Sequence, residues 1–353
     1  MNLASLYRRH CSFALAITIG TMGGALFTWL GLPLSWMLGA MTACGIATVL
    51  RLPIAGSQQA RPPMSAIIGT MLGTQFGPDT LTGITQWWPA WAGLVLYLMT
   101  AATLCHLYLV KIVRLDPVTG YFSAMPGGLI DMVLLGAERG GNESIIALMH
   151  SARIFLVVLC LPPLLTLSTN MDSGGQTPGA IYRPFSDLNL MDIVWFLGTM
   201  AGGGVFGRIA RLPAPFLIGP MLLSAAMHWL GITTFIVPTA IIAMAQVVLG
   251  TTVGCRFSGV APRKILWIFM ASSGSTAILL GVSLIFSFLL QYTIDIPMAG
   301  IFLAFSPGGL AEMSLAALAL SIDVSFVVTC HISRIMLVIL GATFIKQMKQ
   351  SNT

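Results

Sequence analysis

Two short motifs in this sequence carry a histidine and an arginine three residues apart, His150-Ser-Ala-Arg153 and His331-Ile-Ser-Arg334. On a helix that spacing puts both side chains on one face. Each motif lies roughly ten residues into an apolar run of about 24, near the middle of a bilayer if the run crosses one. Arginine stays charged at any working pH, so at that depth it must face the protein interior and find a carboxylate or an anionic ligand. Asp131 and Glu312 are the carboxylates at matching places, each three residues after a Pro-Gly-Gly: Pro126-Gly127-Gly128, and Pro307-Gly308-Gly309 preceded by Ser306. Proline removes a backbone donor, and paired glycines let the chain leave helical geometry. Unwound backbone at membrane depth is tolerated only where it is buried in protein or lines a wet cavity. A helix restarting at Leu129 or Leu310 would direct free N–H groups and a positive dipole end at whatever fills that cavity.

These residues leave several readings open. Pro-Gly-Gly could be a packing kink, and Arg153 and Arg334 could simply neutralise Asp131 and Glu312. Alternatively Pro126, Gly127, Gly128, Asp131, His150 and Arg153, with Ser306, Pro307, Gly308, Gly309, Glu312, His331 and Arg334, bind a small solute. Proton relays within membranes commonly use such carboxylates, so the solute is expected to be anionic or proton-coupled.

The elements that position these groups follow from composition. Of 353 residues, 56% are hydrophobic and 8% charged, against roughly 25% charged in soluble domains. That excludes a soluble enzyme, a nucleic-acid-binding domain and a disordered chain. Apolar segments lie at about 12–30, 34–50, 62–77, 88–111, 117–137 and 143–167, and again at about 189–210, 214–230, 237–256, 264–290, 297–320 and 324–346. Between them runs a polar linker over residues 168–187, so the expected organisation is a membrane repeat over 1–167, the linker, and a second repeat over 188–353.

The halves match residue for residue. Gly23, Pro33 and Gly39 pair with Gly203, Pro213 and Gly219, 180 positions on. From 69–76 onward the offset is 181, through Ala124–Met132 against Phe305–Met313 and His150–Arg153 against His331–Arg334. A single one-residue slip over so long a stretch marks a duplication. Charge then sets orientation. In the first half cations precede the first segment (Arg8, Arg9) and follow the second (Arg51, Arg61) and fourth (Lys111, Arg114). In the second half they follow the first (Arg208, Arg211) and third (Arg256, Arg263, Lys264). Under the positive-inside rule the halves are inserted upside down relative to each other, with both termini cytoplasmic and the linker periplasmic. Inversion needs an odd number of crossings per half. The expected fold is therefore an all-α polytopic membrane protein of two inverted repeats, about five crossings each, with a broken or re-entrant Pro-Gly-Gly segment in each half.

The net charge of +6 belongs to cytoplasmic loops and not to a nucleic-acid partner. The six cysteines are scattered in apolar stretches without a CxxC and read as small buried hydrophobes. Gly20/Gly24, Gly69/Gly73, Gly203/Gly207 and Gly250/Gly254 are small-xxx-small pairs suited to close helix approach. No Walker loop, HExxH or metal-type carboxylate cluster occurs.

The duplicated PGGL…(D/E)M blocks, the arginine of HxxR and the Leu-Pro turns at Pro33 and Pro213 resemble the membrane AbrB-type family of Gram-negative bacteria. That family is defined by a duplicated membrane domain, and the resemblance covers nearly the whole chain. Its members are labelled regulators of gene expression or ammonia monooxygenases. The residues oppose the second label, since five single, scattered histidines offer no metal cluster. The soluble DNA-binding regulator that shares the name has a fold this chain cannot adopt. The expected function is a secondary transporter or exporter in the bacterial inner membrane. The alternative is a membrane regulator or sensor without net flux. No enzymatic activity, cofactor or metal is expected. The expected partners are the lipid bilayer and a small-molecule solute, with a homo-oligomer left open.

Overall fold

The computed structural model describes residues 3–77, 80, 83, 85–169 and 189–350. The polar linker expected at 168–187 lies, beyond residue 169, outside the described residues. Those residues form no strands and are 78% helical. In chain order the helices are α1 (Leu3–Trp29), α2 (Ser35–Val49), α3 (Arg61–Gly73), α4 (Trp88–Leu107), α5 (Pro117–Ala124), α6 (Leu129–Ala137) and α7 (Glu143–Thr169). The second half gives α8 (Leu190–Ile209), α9 (Pro215–Trp229), α10 (Thr239–Gly254), α11 (Pro262–Leu290), α12 (Met298–Phe305), α13 (Leu310–Ala319) and α14 (Val324–Gln350).

Among the described residues seven helices are long and apolar enough to cross a bilayer: α1, α4, α7, α8, α10 with the 3-10 turn Cys255–Phe257 that continues it, α11 and α14. The chain is a helical membrane protein. Three of the ten expected crossings come out short, because α2, α3 and α9 have only 15, 13 and 15 residues. At 1.5 Å per residue none covers an apolar core of about 30 Å by itself. Left-handed residues bound two of them: Leu34 and Arg51 flank α2, and Ala214 and Gly231 flank α9. These four occupy equivalent places 180 positions apart, as do Gly31 and Arg211, while Gly140 and Ser321 lie 181 apart. The uncommon backbone conformation therefore recurs even where the residue type differs.

The chain forms two compact units, each drawing on both sequence halves. The first comprises Met1–Thr82, Leu159–Ala261 and Ser314–Ser325. Within it α1 packs on α2, α8 on α9, α9 on α3 and α10 on α2. Glycine permits each approach. A side chain at Gly39 would drive into the Gly23 carbonyl, and one at Gly219 into that of Gly203. Gly69 and Gly73 lie against the carbonyls of Leu217 and Met221, and Gly250 and Gly254 against those of Met37 and Met41. Three of the four small-xxx-small pairs thus serve backbone-to-backbone contact. Gly20 and Gly24 instead make room for the side chains of Thr251 and Trp36.

The second unit comprises Gly83–Val158, Pro262–Met313 and Phe326–Thr353. There α4 continues through a π-helical turn, Tyr108–Ile112, and packs against α5, α11 and α12. Asp116 caps α5, its carboxylate accepting the Thr119 N–H at 2.8 Å, and Pro117 follows at the first helical position. Phe122, Met132, Ile146 and Val338 form a core that ties α5, α6, α7 and α14 together. Both α5 and α12 last 8 residues and stop before Pro-Gly-Gly. Met125 and Ser306 are extended, with ψ of 127° and 144°, because a following proline disfavours the α region. Helical geometry resumes at Leu129 and Leu310.

Candidate functional site

The second unit contains both Pro-Gly-Gly segments and both HxxR motifs. Arg153 on α7 is buried and donates to the Met125 carbonyl at 3.1 Å. Arg334 on α14 is equally buried and donates to the Ser306 carbonyl and, at 2.9 Å, to that of Gly308. Met125 and Ser306 are equivalent residues, each presenting the last carbonyl before the proline. Each arginine therefore reaches 28 positions back to close the carboxyl end of a half-helix. It satisfies an orphan carbonyl there and meets the negative end of the helix dipole.

The carboxylates do something else. A Cβ at Gly128 would collide with the Asp131 carboxylate, and one at Gly309 with the Glu312 carboxylate. Both side chains fold back over the amino end of their own helix, where the dipole favours a negative charge. Among the described residues neither arginine forms an ion pair with Asp131 or Glu312. The two signs are held apart, cations on the carbonyl side of each break and anions on the amide side.

His150 and His331 are fully buried. A ring nitrogen of His150 lies 3.0 Å from the Ile146 carbonyl on its own helix. His331 approaches the Leu303 carbonyl of α12 at 3.2 Å through Nε2, while its Nδ1 has no partner among the described residues. Pro126, Pro307 and Gly308 are buried and Gly127, Gly128 and Gly309 half-buried. Apart from His150, whose contact is with its own helix, the residues singled out from the sequence thus lie at a break or bond to the residues leading into it.

Two residues that sequence reasoning passed over, Tyr97 and Ser123, join them. Tyr97 on α4 is wholly buried, its hydroxyl has no partner among the described residues, and it lies within electrostatic range of both guanidinium groups. The hydroxyls of Ser123 and Thr276 are buried without a partner too, as are Nε of Arg153 and Nε of Arg334. The two arginines also act on each other electrostatically. A buried cation with idle donors is unusual, because such groups are normally paired and fully hydrogen-bonded. The chemistry that would complete this set is an acceptor with negative charge. The signal for Tyr97 in the sequence was a lone phenol within the otherwise apolar Leu94–Met99. Among the described residues no three of His, Cys, Asp and Glu gather where they could hold a metal ion.

The chain is 29% identical over 347 residues to "Uncharacterized protein YhjN" of Bacillus subtilis (strain 168), covering 92% of this chain and 89% of that protein. It is 24% identical over 336 residues to "Putative regulator AbrB" of Escherichia coli (strain K12), covering 94% and 92% respectively. A family model described as "Transition state regulatory protein AbrB" matches residues 36–349. With its duplicated Pro-Gly-Gly and HxxR motifs inside that match, the chain belongs to the AbrB family of membrane proteins.

Proposed function

We propose that this protein is a secondary transporter or exporter in the bacterial inner membrane, carrying a small anionic solute held at the two helix breaks. One observation carries the reading: Arg153 and Arg334 are buried, lie in each other's field and, among the described residues, have no carboxylate partner and keep donors idle. Holding two uncompensated cations in one apolar unit is costly unless an anion joins them. The surrounding organisation agrees with what carriers use. The repeated left-handed residues and the matched breaks support two repeats, and the cation pattern supports their inversion, with the Pro-Gly-Gly segments re-entrant and not crossing. On this reading the sequence repeats, 1–167 and 188–353, are the evolutionary units, while each compact unit combines parts of both. No catalytic step and no cofactor enters the proposal.

The name of the Escherichia coli relative points to regulation. A regulatory effect would follow indirectly if the carrier set the level of a metabolite. The alternative, a sensor without net flux, predicts binding but no movement of solute. Purified protein in liposomes separates the two. Counterflow of a labelled organic acid across the vesicle wall is the expected result, and saturable binding without counterflow would establish the sensor. Topology is tested by cysteine labelling at position 175, which should react from the periplasmic side, while a tag after Thr353 should be cytoplasmic.

A further inference from the structure

Tyr97 presents a problem that packing alone does not solve. Its ring is clamped by Phe305 at 5.5 Å and Phe286 at 6.1 Å between centroids, so the phenol cannot swing out to water. Buried tyrosine hydroxyls usually find a partner, yet this one has none. Phenylalanine would fill the same space without leaving a polar atom stranded. Tyr97 also has no counterpart in the second half, where the equivalent position is Ile278. It is therefore a local addition to a duplicated frame, not something the repeat requires.

The charge around it can be counted. Two guanidinium groups contribute two positive charges. Each closes the carboxyl end of a half-helix, which carries at most about half a negative charge. On the carbonyl side of the breaks roughly one positive charge is left over, Asp131 and Glu312 lying over the amide-side helix ends, together with three buried, directional N–H and O–H donors: Nε of Arg153, Nε of Arg334 and the Tyr97 hydroxyl. We infer that Tyr97 is the third, specificity-determining donor of this site, and that the three groups hold a singly charged oxyanion, of which a monocarboxylate is the simplest. A carboxylate offers two oxygens and about four acceptor directions, enough for three donors. A halide ion has the charge but nothing that would select for a fixed phenol. This inference rests on the anion-carrier reading above and narrows it.

The experiment measures ligand-induced thermal stabilisation of the full chain in detergent. The probes are acetate, lactate and benzoate as monocarboxylates, succinate and sulfate as dianions, and chloride. At least one monocarboxylate is expected to stabilise the wild type saturably, at lower concentration than any dianion or chloride. Tyr97→Phe should then bind that monocarboxylate roughly 10- to 150-fold more weakly, the loss of one hydrogen bond to a charged group. Its ligand-free stability should equal or exceed the wild type, which no structural role for the hydroxyl would give. A second readout needs no such variant: 3-fluorotyrosine at position 97 should shift its fluorine resonance as the monocarboxylate is added. Unchanged affinity in Tyr97→Phe, an unmoved resonance at saturation, or tighter binding of succinate or sulfate would overturn the inference while leaving an anion site in place. Failure of every anion to stabilise the wild type would overturn the carrier reading itself.

Discussion

Arg153 and Arg334 occupy matched positions, yet the structure makes them unequal in a way that lysine should expose. Arg334 bridges two carbonyls, Ser306 and Gly308, whereas Arg153 engages one, Met125. Lysine keeps the charge but not the planar fork. At 153 an ammonium replaces one hydrogen bond with one. At 334 two separate nitrogens serve the two carbonyls, and one shorter-reaching ammonium nitrogen without the fork is expected to keep only one of them, leaving a buried carbonyl without its charged donor. A hydrogen bond to a charged group is worth about 1.5–3 kcal/mol. Arg334→Lys should therefore lose about that much more stability than Arg153→Lys, which should stay within about 1 kcal/mol of the wild type. Denaturant unfolding of the ligand-free variants in the same detergent, side by side, gives the comparison directly. Equal losses, or a larger loss at 153, would refute the asymmetric capping. Were the arginines instead paired with Asp131 and Glu312, Asp131→Asn and Glu312→Gln would destabilise by 3–5 kcal/mol, the usual result of breaking a buried pair. Folded back on their own helices, these carboxylates should each lose only about 0.3–1 kcal/mol when neutralised.

Other expectations follow from the same geometry. Gly69→Ala should destabilise by about 1–3 kcal/mol, because the new methyl meets the Leu217 carbonyl. Gly281→Ala on α11, where nothing lies within 4 Å of the added atom, should instead stabilise by up to about 1 kcal/mol in the same unfolding measurement. Asp116→Ala should remove the cap of α5, weakening the helix by about 1 kcal/mol, with faster amide exchange at Thr119 as the readout. Although burial opposes it, hydrogen bonding from Thr119 and Val118 holds the Asp116 carboxylate below its ordinary value. The cap's contribution is thus fully present at neutral pH and lost as pH falls through that lowered value. Cys44 and Cys255 sit within thiol–thiol hydrogen-bonding range of one another. A chain retaining only these two should take up one mercuric ion bridging both, read by mass, and uptake of two ions would refute the packing of α10 on α2.

How much of this was legible in the sequence depended on whether a feature came twice. The Pro-Gly-Gly segments, the HxxR motifs and the glycine pairs are duplicated, so comparing the halves exposed them; the first mark helix breaks, the arginines bond to the carbonyls leading into them, and three of the four glycine pairs sit where backbones touch. Partners were harder. Arginine in a membrane demands a counter-group, but spacing does not distinguish a carboxylate three residues past the break from a carbonyl one residue before it. The structure chose the carbonyls, because a helix end left by proline has orphan acceptors within the arginine's reach. The lengths of α2 and α9 were overestimated for a related reason. Hydropathy ran on through Leu-Pro turns and glycine–arginine ends where the backbone had already turned left-handed.

Tyr97 shows the limit of reading by duplication, and also why that limit bears on function. On the proposed reading, a pseudo-two-fold frame would offer equivalent groups to both sides of its solute: two arginines, two closed helix ends and two folded-back carboxylates. Few small organic anions have two-fold faces to match. A carrier built this way gains selectivity only where the halves differ, and they differ at Tyr97 against Ile278, Met125 against Ser306 and Asp131 against Glu312. The second of these pairs exchanges side chains while keeping the carbonyl that the arginine uses. The third changes length but keeps both the charge and its place over the helix amino end. The first adds a hydrogen-bond donor to one half only, as do Ser123 against Ala304 and Thr276 against Val95; of the three, Tyr97 is the one within electrostatic range of both arginines. On the anion-carrier reading, these asymmetric positions, rather than the matched ones, are therefore where selectivity for the solute is expected to lie.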